Sequence, residues 1–117
     1  PNTPSPKRCY NLGQAVAKAI KNWDSDKKVA VIGSGGLSHF LVDEEIDQLA
    51  LKGMKERDAD LIASLPRYRL NSGNSEILNW ITAAGACEHL DMEVVEYVPV
   101  YRSPAGTGGG WGFAIWQ

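Results

Sequence analysis

Apolar positions along this chain follow a helix–strand–helices–helix–strand order. The first eight residues hold three prolines and two basic residues, so residues 1–9 are expected as an extended arm or linker. Leu12, Ala15, Val16, Ala19, Ile20 and Trp23 then recur at steps of three and one. That spacing lines one face of an α-helix, with Asn11 as its candidate cap and Asp24-Ser25-Asp26 as a polar end. Residues 28–32 are a short run rich in β-branched side chains, expected as a buried strand. The next helix is expected to begin at Asp43. It has Glu44 and Glu45 in its first turn, Lys52 and Lys55 near its end, and Ile46, Leu49, Ala50 and Gly53 inward. This charge order complements the helix dipole. A short helix over residues 57–65 should stop before Pro66.

After the capping residues of 71–75, a helix over 75–87 carries Ile77, Leu78, Trp80, Ile81 and Ala84. It is apolar around much of its circumference, the mark of a buried helix. Residues 92–101 read as a strand, and 112–116 as a candidate further one. The order indicates an α/β fold with helices packed on a small sheet. Two clear strands fall short of the usual sheet of about five. The helices cannot bury their apolar faces on so narrow a sheet. Either another chain supplies strands, or this chain is part of a larger domain.

Composition narrows the class without naming a partner. A length of 117 residues suits one domain, and 44% hydrophobic residues exclude a disordered chain. A net charge of −2 with interspersed signs offers no basic stripe for nucleic acid or an anionic membrane. The apolar runs are too short to span a bilayer, and the first residues lack a signal-peptide pattern. Cys9 and Cys87 form no CxxC pair, which fits a cytoplasmic protein better than a disulfide framework.

Chemistry concentrates at Gly33-Ser34-Gly35-Gly36-Leu37-Ser38-His39, directly after the first expected strand. Nucleotide binding requires a glycine where Ser38 stands, and an acidic residue about twenty positions further on is missing. A serine nucleophile elbow requires glycines two before and two after, and neither Ser34 nor Ser38 has both. Two readings remain. Either the glycines form a tight turn with a hydrogen-bonded histidine, or they let the backbone pass close to a substrate or metal while presenting Ser38 and His39 at a strand end. Glu76 is a second candidate. A carboxylate in a first helical turn is ordinary capping, but this one stands at the mouth of an otherwise apolar helix. Cys87 and His89 are too few for a zinc site, and His89 reads as a helix-end surface residue.

Residues 31–40, Val-Ile-Gly-Ser-Gly-Gly-Leu-Ser-His-Phe, followed by Asp43-Glu44-Glu45-Ile46-Asp47, resemble class III extradiol ring-cleavage dioxygenases of the LigB type, the family of protocatechuate and gallate dioxygenases. Three further stretches resemble it in the same order: residues 8–13, residues 71–80 with Ser75-Glu76 and Trp80, and residues 97–108. The resemblance implies that residues 10–117 form the C-terminal part of a LigB-like α/β domain. It implies a non-haem Fe(II) held by two histidines and a glutamate, with a catechol-type substrate and O₂. Glu76 corresponds to the glutamate ligand and His39 to the acid–base histidine. Ser103 or Thr107 could contact a substrate carboxylate. The two histidine ligands belong to the family's N-terminal half and have no counterpart here, so the chain alone is expected to be inactive. A homo-oligomer, or a chain supplying that half, is the expected partner. The alternatives are a non-catalytic, self-associating fragment or accessory domain and, more remotely, a nucleotide-binding module.

Overall fold

A computed structural model describes residues 2–117. Four helices pack against one antiparallel hairpin: α1 (Pro6–Asn22), α2 (Glu44–Glu56), α3 (Ala59–Ser64), α4 (Ile77–Ala86), β1 (Met92–Tyr101) and β2 (Gly108–Trp116). The architecture is α/β, as expected, with a two-stranded sheet. β1 and β2 pair from Met92↔Trp116 to Tyr101↔Gly108, with one irregularity between Val94 and Glu96. Among the described residues, no helix is long and apolar enough to cross a membrane.

The N-terminus departs from the expected arm. α1 begins at Pro6, inside the stretch read as extended, and its cap is Ser5 rather than Asn11. The Ser5 side chain accepts from the Arg8 N–H at 3.2 Å. Serine followed by proline is a strong helix start, because the ring presets φ and the missing N–H is not needed there. The buried face also differs from the expected stripe. Pro6, Cys9, Tyr10 and Gly13 face inward, while Leu12 and Trp23 are exposed. Close approach selects that face. A Cβ on Gly13 would meet the Thr82 carbonyl oxygen, and one on Gly85 would meet that of Tyr10.

This α1–α4 crossing makes a testable demand. Ala at position 13 gains about 1 kcal/mol of helix propensity, whereas overpacking against unyielding backbone costs about 3 kcal/mol. Gly13→Ala should therefore lower stability by about 2 kcal/mol, or about 8–16 °C in Tm. An unchanged thermal melt would refute the close crossing.

The middle of the chain follows its capping signals. Asp43 caps α2 through the Ile46 N–H, and Asp58 caps α3 through the Leu61 N–H. Two 3₁₀ turns, Arg67–Arg69 and Ser72–Glu76, lead into α4. Leu37, Ile46, Ile62, Ile77 and Ile81 are fully buried in one core cluster that also holds Tyr10, Trp80 and Met92.

Residues 28–32 are the main correction. They form neither a paired nor a buried strand; Ile32 is 83% exposed. Among the described residues, no backbone hydrogen bond joins residues 28–33 to a neighbouring strand. A groove of about 390 Å³ separates this stretch from Ala114, Ile115 and Trp116, with Trp80 and Ala83 among its other lining residues. Strand propensity is present, but a strand exists only where a partner satisfies its N–H and C=O groups. The outer face of the hairpin is open as well, with Trp111, Phe113 and Ile115 exposed in alternation on β2.

Candidate active site

The glycine turn and the mouth of α4 form one unit. Glu76 ends the 3₁₀ turn Ser72–Glu76, and its Oε2 accepts from the Gly36 N–H at 2.9 Å. The same oxygen lies 3.3 Å from His39 Nε2. The side chain of Asn79 donates to the Ser34 carbonyl and Trp80 Nε1 to the Gly35 carbonyl, both at 2.9 Å. Glu76, Asn79 and Trp80 follow i, i+3, i+4 spacing and so share one side of the helical turn. They grip three successive residues of the glycine turn. Gly35 has φ +127°, and a Cβ there would press into the Glu76 carboxyl group. This position requires glycine twice over, for conformation and for space.

His39 is fixed at both its backbone and its ring. Its N–H donates to Asn74 Oδ1 at 2.8 Å, and the Asn74 side chain donates to the Arg69 carbonyl at 2.8 Å. The ring Nδ1 is 3.1 Å from the Leu37 carbonyl. Both neighbours only accept, the Leu37 carbonyl at Nδ1 and the Glu76 carboxylate at Nε2, so the neutral ring donates to one of them and the protonated ring to both.

His39 and Glu76 line a cleft of about 890 Å³, together with the glycine turn and Tyr101, Arg102, Trp111 and Phe113. Aromatic walls and one imidazole–carboxylate pair suit a planar, partly polar small molecule. They do not suit a phosphate. The Gly36 amide, which an anion would need, is already occupied by a carboxylate, so the geometry disfavours the nucleotide-binding alternative.

Ser103 and Thr107 sit elsewhere. Their hydroxyls bond to each other at 2.6 Å in the β1–β2 connection, and neither lines the cleft, whereas Arg102 does. His89 is exposed beyond α4 and borders a separate groove with Lys18 and Lys21. Cys9 and Cys87 are free and buried, and burial pushes both thiols up. Among the described residues, no group of three or more His, Cys, Asp or Glu side chains is placed to hold a metal ion. One carboxylate and one nearby imidazole do not make a complete donor set. The residues present therefore do not fit a metal by themselves.

Asn74, Asn79 and Trp80 join the site only in the folded structure. Their signal was present: hydrogen-bonding side chains clustered at the start of an otherwise apolar helix.

Asp43 supports the site from one side. Arg69 Nη2 reaches its two carboxylate oxygens at 2.6 and 2.8 Å. Burial raises the Asp43 pKa, but the Arg69 guanidinium and the Ile46 N–H outweigh it, and the carboxyl lies below its usual range. A lowered folded-state pKa stabilises the protein above the unfolded value, and that contribution is lost as pH falls through the folded one. Asp43→Ala should cost about 1–2 kcal/mol near neutrality through the lost cap. The Tm gap to wild type should shrink below about pH 4. A gap that widens in acid would contradict the pairing.

Two comparisons bear on this geometry. The sequence profile described as "catalytic LigB subunit of aromatic ring-opening dioxygenase" matches residues 2–110. A gallate dioxygenase of Pseudomonas putida is 50% identical over 36 residues, which are 31% of this chain and 11% of that protein. The aligned part thus spans about a tenth of that relative's length. With the family match running through almost the whole sequence, from the first helix to the second strand of the hairpin, the chain belongs to the LigB family of aromatic ring-opening dioxygenases.

Proposed function

We propose that this chain is part of a non-haem Fe(II)-dependent extradiol dioxygenase that opens the ring of a catechol-type substrate, protocatechuate- or gallate-like, with O₂. His39 is its acid–base residue and Glu76 its carboxylate ligand to iron. The observation that carries the reading is the pairing of His39 Nε2 with Glu76 Oε2 at 3.3 Å, at the wall of an aromatic-lined cleft. Family membership supports the reaction class, and the likeness to a gallate dioxygenase supports a small phenolic substrate.

Iron held by two imidazoles and one carboxylate would leave positions open for the diol and for O₂. The described residues offer one carboxylate toward that set, so the two histidines must come from outside this chain. What the chain itself does follows from its own groups. Nε2 of His39 takes a phenolic proton and returns it later, a task suited to imidazole near neutral pH. Tyr101, Trp111 and Phe113 offer aromatic surface along the cleft against which a planar ring can lie. Ser103 and Thr107, proposed as contacts for a substrate carboxylate, would have to turn from each other toward the cleft to serve it.

The open groove beside residues 28–33 favours a second reading, in which this chain alone is a non-catalytic fragment that associates through its unsatisfied edge. One pair of measurements separates the two. The complete protein should consume O₂ and break a bond beside the diol, as mass spectrometry of the product reports. This chain alone should bind no stoichiometric iron and show no turnover. Stoichiometric iron on the isolated chain would defeat the claim that ligands come from outside, and absence of ring cleavage by the complete protein would defeat the reaction.

A further inference from the structure

Beneath the candidate site lies a buried carboxylate that the proposed chemistry does not use. Asp47, on α2, is fully buried, and among the described residues no cation pairs with it. Its Oδ1 accepts from the Ser38 N–H at 2.7 Å. Its Oδ2 accepts from the Ser38 hydroxyl at 2.7 Å and from the Tyr97 hydroxyl at 2.6 Å. Ser38 is itself fully buried, and its hydroxyl accepts from the Asp43 N–H at 2.9 Å.

The hairpin closes the cage. The Leu37 N–H donates to the Gly110 carbonyl at 2.9 Å, and the Gly110 N–H donates to the Ser38 carbonyl at 2.8 Å. A Cβ on Gly110 would collide with Asp47 Oδ2, so the strand carries glycine where the carboxylate sits. Burial pushes the Asp47 carboxyl up, and the Tyr97 and Ser38 donors oppose that rise. Burial and the neighbouring carboxylate push the Tyr97 phenol well above its usual value, so it remains an O–H donor.

A carboxylate buried without a cation is costly unless its oxygens are filled, and an apolar side chain would hold α2 to the hairpin at lower cost. Asp47 instead spends two of its three bonds on the residue immediately before His39. We propose that Asp47 is a positioning residue for His39. By fixing the Ser38 backbone and hydroxyl, it sets the turn so that Nδ1 of His39 meets the Leu37 carbonyl and Nε2 faces the cleft. This role rests on the reading of His39 as the acid–base group, but its first test does not depend on turnover.

The test reads the His39 tautomer in this chain by long-range ¹H–¹⁵N correlation at alkaline pH, with amide spectra confirming the fold. Wild type should show one dominant tautomer, because the fixed turn holds each ring nitrogen against its own acceptor. Asp47→Leu, which removes every acceptor for Ser38, should lose that single-tautomer pattern. Asp47→Asn keeps an acceptor for the Ser38 N–H and should restore it. In the complete enzyme, Asp47→Leu should lower kcat by about 10²-fold with little change in KM, as for a catalytic group displaced by about 1 Å. A folded Asp47→Leu chain with the wild-type His39 pattern overturns the proposal. Should Asp47→Leu fail to fold, Ser38→Ala removes the hydroxyl with its bonds to Asp47 and the Asp43 N–H, and keeps the bond from the Ser38 N–H to Asp47. A partial loss of the single tautomer then supports the role, and an unchanged pattern refutes it. Failure here would leave ring cleavage by His39 standing, since that is tested separately by replacing His39 itself.

Discussion

Replacing His39 with phenylalanine in the complete enzyme is expected to reduce kcat by about 10²–10⁴-fold, the usual contribution of a positioned acid–base group. Metal content should stay at the wild-type level. Phenylalanine retains a planar ring in the mostly buried space beside Gly73 and Asn74, and the backbone bond from position 39 to Asn74 Oδ1 does not involve the side chain. What disappears is Nε2, which in wild type lies 3.3 Å from Glu76, and the Nδ1 contact to the Leu37 carbonyl. Steady-state kinetics with iron analysis on the same preparation checks both halves. Near-wild-type turnover would remove His39 from the mechanism, and loss of metal would show that it acts as a ligand instead.

Glu76 should give the opposite pattern, and the choice of substitution matters. Glu76→Ala would remove both the carboxylate and the acceptor for the Gly36 N–H, so the turn would loosen along with any loss of metal. Glu76→Gln keeps an acceptor for that amide and removes the charge. The expected result is a folded protein whose metal affinity falls by more than the roughly 10–100-fold typical of an outer-shell change, so that it is purified depleted of metal and with lower turnover. Metal analysis and amide spectra together decide the case. A Glu76→Gln enzyme with full metal occupancy would limit Glu76 to holding the glycine turn. That role is already visible, together with Asn79 and Trp80.

The two variants therefore separate functions that stand side by side in the cleft. On the proposed reading, one group would handle protons at the substrate and the other would supply charge to a metal. Among the described residues no three-ligand cluster exists, so both experiments require the complete protein. The Gly13 and Asp43 variants can be read in the chain alone.

Local signals proved legible wherever a few neighbouring residues settle the outcome. The aspartate that opens α2, the stop before Pro66, the apolar α4 and the first strand of the hairpin all appear where the sequence places them. Each depends on capping, ring geometry or continuous apolar character, which act over one or two turns. The Ser5-Pro6 start of α1 was equally local, but the surrounding prolines disguised it as an arm. The glycine turn with its histidine was also legible, because glycine density after an apolar run marks a close backbone approach.

Tertiary structure alone decided the rest. The inward face of α1 was set by where α4 allows close approach at Gly13 and Gly85, not by the longest apolar stripe. Residues 28–32 kept their strand composition yet formed no strand, because a ladder requires partner N–H and C=O groups that no local pattern can supply. The grip of Glu76, Asn79 and Trp80 on the glycine turn joins residues some forty positions apart. The Asp47 cage likewise ties α2 to that turn and to β1. Periodicity identifies which side chains are to be buried, but three-dimensional closure determines what they are buried against. For this protein, that distinction separates a histidine in a flexible turn from one whose ring nitrogens already have assigned partners.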